Sequence, residues 1–115
     1  MSKFYSLLGL CKKAGKLAGG EVAVENAIRK KKAELLILAM DASGNTKKKF
    51  YNSAAYYKIP LVEVGEKEDL GRAVGEEIRA IFAVTDAGFS KKLMDLAEKE
   101  KTVNETGKSD SSFGK

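Results

Sequence analysis

Histidine and tryptophan are absent from this chain, and cysteine and proline occur once each. Without histidine there can be no Ser-His-Asp set, no Cys-His pair and no zinc site built from the usual ligands. A lone cysteine excludes an internal disulfide and suits a reducing cytoplasm. The longest unbroken apolar run is Leu35–Met40, far short of the ~20 residues a membrane helix needs. The opening Met1-Ser2-Lys3-Phe4 has no charged region followed by a long apolar stretch, so no signal peptide is expected. Any catalysis would fall to carboxylates, lysines and hydroxyls.

What is present suits one domain. The chain has 115 residues, 43% hydrophobic and 32% charged, the profile of a globular protein with a core rather than of a disordered chain. The net charge of +5 conceals an asymmetry. Residues 1–58 hold 12 Lys+Arg against 4 Asp+Glu, a net of +8, while residues 59–100 hold 6 against 10, a net of −4. A cationic face gathered from the first half would attract a polyanion, and nucleic acid is the usual candidate.

Helical and strand-like patterns alternate, which predicts an α/β fold. Phe4, Leu7, Leu8 and Cys11 make one apolar face of a first helix, with Ser2 placed to cap it and Gly15 to end it. A short strand follows around Lys16–Ala18. Gly19-Gly20 then leads into a helix over about 21–31 that turns Val24, Ala27 and Ile28 inward. Leu35–Met40 is apolar throughout and reads as a central strand covered on both faces. A turn at 41–45 opens a third helix with Phe50, Ser53, Ala54 and Tyr57 inside, and Ile59-Pro60 closes it. A strand over 61–64, a helix over about 67–75, a buried strand over 80–84 and a helix carrying Phe89, Leu93, Leu96 and Ala97 complete the pattern. The segments 35–64 and 61–84 have lengths suited to right-handed crossovers. The expected architecture is a three-layer α/β/α sandwich with a four-stranded mixed sheet and about five helices. Residues 1–100 would form the domain, and 101–115, aperiodic and with little to bury, a disordered tail.

Several constellations resemble chemistry without supplying it. Gly9 to Gly15-Lys16-Leu17 has five residues between its glycines where a phosphate-binding loop has four, and a leucine where that loop needs Ser or Thr. Cys11 has lysine neighbours, yet its helical phase places it on the buried stripe. Glu66, Glu68, Asp69, Glu76 and Glu77 fall near expected helix starts, where negative charge is favoured anyway. The lysine clusters carry more information. Arg29–Lys32 would close the second helix, where either the helix dipole or an external anion accounts for positive charge. Lys47-Lys48-Lys49 would occupy the first turns of the third helix, where cations cost some tenths of a kcal/mol each, up to ~1. An external anion would offset that cost, and the free N–H groups of the same turn could meet a phosphate oxygen. The glycine pair at the second helix start permits close backbone approach, or simply makes a tight turn.

The order of these motifs resembles a known family. Gly19-Gly20-Glu21 opening a helix, the run Lys31-Lys32-Ala33-Glu34 into Leu35–Ser43, Ile59-Pro60-Leu61 and Leu70-Gly71-Arg72-Ala73-Val74-Gly75 resemble the kink-turn RNA-binding family of large-subunit ribosomal proteins. Phe4–Leu10, Asn45-Thr46-Lys47-Lys48 and Asp86–Leu93 are similar to its small bacterial YlxQ-like branch. The resemblance spans about residues 3–97. It implies an α/β/α sandwich that binds structured RNA in the cytoplasm, on or near the ribosome, with no catalysis, cofactor, metal, small-molecule substrate or membrane contact.

The site residues implied are Gly19, Gly20, Glu21, Val22, Asn26, Lys30, Lys31, Thr46, Lys47, Lys48, Ile78 and Arg79. In the family, a Gly-x-Asn-Glu-x-x-Lys pattern at the second helix start reads tandem sheared G·A pairs. Aligned on Gly20, the three reading positions hold Val22, Ala23 and Asn26, which offer neither guanine-edge partners nor a charge for phosphate. Lys30, Lys31, Lys47 and Lys48 would neutralise phosphates, Gly19 and Gly20 would admit the backbone, Ile78 would meet a splayed base and Arg79 a phosphate. The rival expectation is a protein-interaction module of the same fold, with Val22 and Ala23 in an apolar contact.

Overall fold

A computed structural model describes residues 2–113, with side chains for residues 2–100. The elements run α1 (Lys3–Lys13), β1 (Leu17–Gly19), α2 (Glu21–Arg29), β2 (Leu35–Leu38), α3 (Gly44–Tyr57), β3 (Leu61–Glu63), α4 (Lys67–Ala73), β4 (Ile81–Val84) and α5 (Ala87–Phe113). The expected tail at 101–115 falls on residues whose side chains lie outside those described. Among the described residues, no helix is long and apolar enough to cross a membrane.

The helix ends follow from local chemistry. Ser2 caps α1 by accepting the Tyr5 N–H at 3.3 Å. Gly15, at φ +74°, ends α1 by turning the chain so that the Lys16 N–H donates to the Cys11 carbonyl. Ser43 caps α3 through the Thr46 N–H, Asp41 receives the Lys67 N–H at the start of α4, and Asp86 receives the Phe89 N–H at the start of α5. Each cap meets a backbone donor that the helix itself cannot satisfy, worth about 1 kcal/mol.

Sheet order is β1-β4-β2-β3. The two strands whose residues are all buried, β2 and β4, lie side by side and antiparallel at its centre, with Leu36 opposite Ala83 and Leu38 opposite Ile81. Both read as unbroken apolar runs because helices cover both faces. The half-buried β1 and β3 take the edges, β1 antiparallel to β4 and β3 parallel to β2. This is the expected α/β sandwich with five helices and a mixed sheet. α2 and α3 pair on one side, while α1 packs against both α4 and α5.

Three expectations change. The segment 61–84 is not a parallel crossover: after β3 the chain passes over β2 and enters between β1 and β2, antiparallel to both. A strand apolar on both faces needs a neighbour on each edge as well as cover, and only the central slot supplies both. Second, α2 ends at Arg29, leaving Lys30 and Lys31 in the turn. Third, two residues expected inside stay exposed: Met40, at 43%, lies past the end of β2, and Tyr57, at 39%, is open although Phe50 and Ala54 are buried. With 14 residues, α3 is ~21 Å long against ~13 Å for a four-residue strand, so its last turn overshoots the sheet.

Cys11 lies fully buried among Phe4, Leu8 and the sheet, its thiol directed at the Lys16 carbonyl at 3.4 Å. Burial, and secondarily Asp86, pushes the thiol up to about 11, the opposite of the lowered pKa a reactive thiolate requires. Iodoacetamide at pH 8 is therefore expected to leave the native chain unlabelled and to label it fully in guanidinium. Native labelling at the rate of a free thiol would contradict the packing.

Candidate nucleic-acid interface

Three segments meet at one end of the sandwich: the β1–α2 turn, the start of α3 and the loop between α4 and β4. Gly20 sits at φ +92°, ψ +160°, a conformation open to glycine, and its N–H donates to the Ile81 carbonyl at 3.0 Å. Gly19 lies under the Phe82 ring, where a Cβ would approach within 3.1 Å. The Arg79 side chain crosses above both glycines, its Nε within 4 Å of where either Cβ would stand. Two hydrogen bonds hold that guanidinium, one to Glu76 at 3.1 Å and one to the Ile78 carbonyl at 3.2 Å. Its remaining donors are available to a ligand. Glu76 also pairs with Lys12 at 3.3 Å, so the loop is tied back to α1 through a carboxylate expected only to sit near a helix start.

The loop is also fixed sterically. A Cβ on Gly71 would stand 2.7 Å from the Glu77 carbonyl oxygen, so glycine is what lets the chain fold back over α4. Val22, just after Gly20, and Ile78, just before Arg79, are 75% and 54% exposed, so aliphatic surface is open to a ligand on both sides of the turn.

The α3 lysines are placed differently from expectation. The anions that offset the helix dipole come mostly from the chain itself. Lys47 pairs with Glu63 at 2.9 Å. Lys49 pairs with Glu21 at 3.2 Å and with Glu25, the latter the chief cause of its raised pKa. Thr46 donates its hydroxyl to Glu21 at 3.2 Å and accepts from Ser43. Glu21 and Glu25, one turn apart on α2, thus face the start of α3 and lock the two helix starts side by side. Lys48 alone of the three is exposed with no pairing among the described residues.

Lys30 and Lys31 lie elsewhere. They sit at the far end of α2, separated from Gly20 by its nine residues, ~13 Å of helix. The structure therefore brings together Gly19, Gly20, Glu21, Val22, Thr46, Lys47, Lys48 and Arg79 with the neighbouring Ile78, and leaves Lys30 and Lys31 at the opposite end of the α2–α3 pair. Asn26, between the two ends, accepts from Arg29 at 2.6 Å. One continuous cationic face does not form.

Comparison with known proteins gives the family. The profile of the family described as "Ribosomal protein L7Ae/L30e/S12e/Gadd45 family" matches residues 2–94. The chain belongs to that family. It is 43% identical over 96 residues to the RNA-binding protein YlxQ of Bacillus subtilis (strain 168), covering 84% of this chain and 96% of that one. It is 38% identical to the RNA-binding protein YlxQ of Enterococcus faecium, covering 84% and 92%. A solved structure of a protein of unknown function from Bacillus halodurans C superposes with a TM-score of 0.82 at 42% identity, covering 85% of this chain and 99% of that one. The resemblance to a family of ribosomal proteins and to its YlxQ-like branch, expected from the motifs, stands.

Sequence reasoning missed Lys49 as a clamp and Glu76 as the anchor of Arg79. The spacing of Glu21 and Glu25 hinted at a cationic partner, but only the parallel placement of α2 and α3 identifies it. Tyr51 was missed as well. Its hydroxyl donates to Glu63 at 2.5 Å, and this hydrogen bond, then burial, pushes the phenol up to about 12.

Two outcomes test this geometry. Gly71→Ala is expected to cost about 1–3 kcal/mol through the forced shift of the 77–78 backbone, read as a lower thermal midpoint. The neutral Tyr51 phenol donates to Glu63 and the phenolate cannot, so this contact is intact below pH 10 and is lost as pH rises through about 12. Carbon-13 NMR should place the Tyr51 midpoint near that value, and Glu63→Gln should return it toward 10.

Proposed function

We propose that this protein is a noncatalytic RNA-binding protein, ribosomal or ribosome-associated in the cytoplasm, and that structured RNA seats on the β1–α2 turn. The observation that carries this reading is Arg79 lying across Gly19-Gly20, flanked by the exposed aliphatic side chains of Val22 and Ile78. A guanidinium with spare donors binds a phosphate, side-chain-free backbone lets the sugar-phosphate chain approach, and the aliphatic groups cover the face of an unstacked base. The two YlxQ relatives are themselves named RNA-binding proteins, which supports carrying that activity to this chain.

The mode of reading differs from the kink-turn pattern of the family. Val22 and Ala23 have no polar groups for guanine edges, and the Asn26 carboxamide oxygen is engaged by Arg29. Recognition therefore rests on shape, phosphates and one splayed base rather than on sheared G·A edges. Lys48 and Arg79 are the cations that meet phosphate, whereas Lys49 holds α2 to α3 and is unsuitable for a binding test because its loss would disturb the scaffold.

Affinity for large-subunit ribosomal RNA transcripts is expected to fall linearly on a log–log plot against salt. Lys48→Glu should weaken binding across all sequences and lower the slope by about one. Arg79→Ala should lose about tenfold, the cost of a hydrogen bond to a charged group. Binding that is undetectable, or independent of salt, would instead favour the protein-interaction reading, in which Val22 and Ile78 meet an apolar partner.

A further inference from the structure

A groove of about 700 Å³ opens where α2 and α3 end, at the opposite pole of the helix pair from the glycine turn. Two of its lining residues, Lys31 and Lys58, are the only non-glycine residues with positive φ among those described, each at +58°. Both occupy the left-handed position that ends a helix: the Lys32 N–H donates to the Ala27 carbonyl and the Ile59 N–H to the Ala54 carbonyl. Glycine adopts that conformation without penalty and is the common choice there. A strained residue kept at two such positions, both lysine and both on one groove, points to a use for the side chains. Dipole complementarity does not account for Lys31, because Arg29 and Lys30 already serve the end of α2.

The other wall of the groove is aromatic. Tyr56 is 79% exposed, and Tyr57 packs edge-on against it, centroids 4.9 Å apart at 78°, which fixes the ring direction. The charged lining is two lysines, Lys31 and Lys58, against one acid, Glu34, and among the described residues neither lysine forms an ion pair. Free ring faces beside unpaired lysines are the elements that hold unpaired nucleic acid, bases stacking on the rings and phosphates meeting the ammonium groups.

We infer that this groove is a second RNA contact, taking an unpaired strand that stacks a base on Tyr56 while Lys31 and Lys58 hold its phosphates. The inference rests on the RNA-binding reading above and extends its footprint. The groove lies ~13 Å from Gly20 along α2, so three or four stacked nucleotides, at ~3.4 Å each, join the two contacts.

The test uses the full chain and two fluorescein-labelled probes, a ten-nucleotide oligouridine and a large-subunit ribosomal RNA transcript. A Lys31→Gly/Lys58→Gly double variant should keep or raise the thermal midpoint, since glycine relieves both backbones. It should nevertheless bind oligouridine at least tenfold more weakly, with the salt slope reduced by about 1.4, ~0.7 for each phosphate on a single strand. Tyr56→Leu should lose roughly 5- to 100-fold on oligouridine. With 4-thiouridine in the probe, the crosslink should map to Tyr56 or Tyr57. If both variants bind oligouridine like the parent protein, or the parent ignores oligouridine yet binds the transcript, the groove does not hold RNA and the RNA-binding reading survives. A parent protein that binds neither probe overturns both.

Discussion

The pairing of β2 with β4 is the constraint from which the rest of this molecule follows. Every side chain of both strands is buried, and such strands are stable only with a helical layer on each face and a neighbour on each edge. Setting them side by side relegates β1 and β3 to the edges. The arrangement also determines where chain segments emerge. Gly19 pairs with Phe82 near the entry of β4, so the turn leaving β1 and the loop entering β4 must share one end of the sheet. Arg79 is thereby carried over Gly19-Gly20 without any contact specific to a ligand.

Electrostatics on this scaffold serves two ends. Part of the cationic excess of the first half is spent internally: Lys49 bridges to Glu21 and Glu25, and Lys47 joins Tyr51 on Glu63. These pairs are exposed and individually weak, yet the Lys49 pairs join the two helix starts while Lys47 and Tyr51 tie α3 to the end of β3. Among the described residues, Lys48, Lys30, Lys31, Lys32 and Lys58 form no ion pair and divide between two poles, Lys48 on the side of Arg79 and the others where α2 and α3 end. Two separated cationic poles joined by a helix suit an elongated polyanion better than a compact one, because a flexible strand can reach both.

The family's fold is present here, with Val22, Ala23 and Asn26 at the helix-start positions. The Val22 and Ala23 side chains bring no hydrogen-bonding group to the helix start, and beside them stand the exposed Ile78 and the Arg79 guanidinium. Fold and site chemistry are separable in this way because the glycine turn and the β4 loop are positioned by the sheet, whereas Val22 at the helix start is exposed and outside the core.

From the sequence alone, element types, the buried strands within 35–40 and 80–84, the cap at Ser2 and the core position of Cys11 were legible, since periodicity and capping chemistry act within a few residues. The motif order also carried the family. Strand order could not be read, and the segment 61–84 looked like a crossover because its length permits one and direction leaves no mark in a short apolar run. Nor could the partners of Lys47 and Lys49 be foreseen: Glu63, Glu21 and Glu25 lie 16 or more residues away in the chain. Only the side-by-side placement of α2 and α3 made those lysines internal clamps, left Lys48 exposed and set Lys31 beside Lys58. Local pattern determined what each segment is, and long-range packing decided which charges remain for a partner, because an ion pair between helices exists only once the sheet has aligned them.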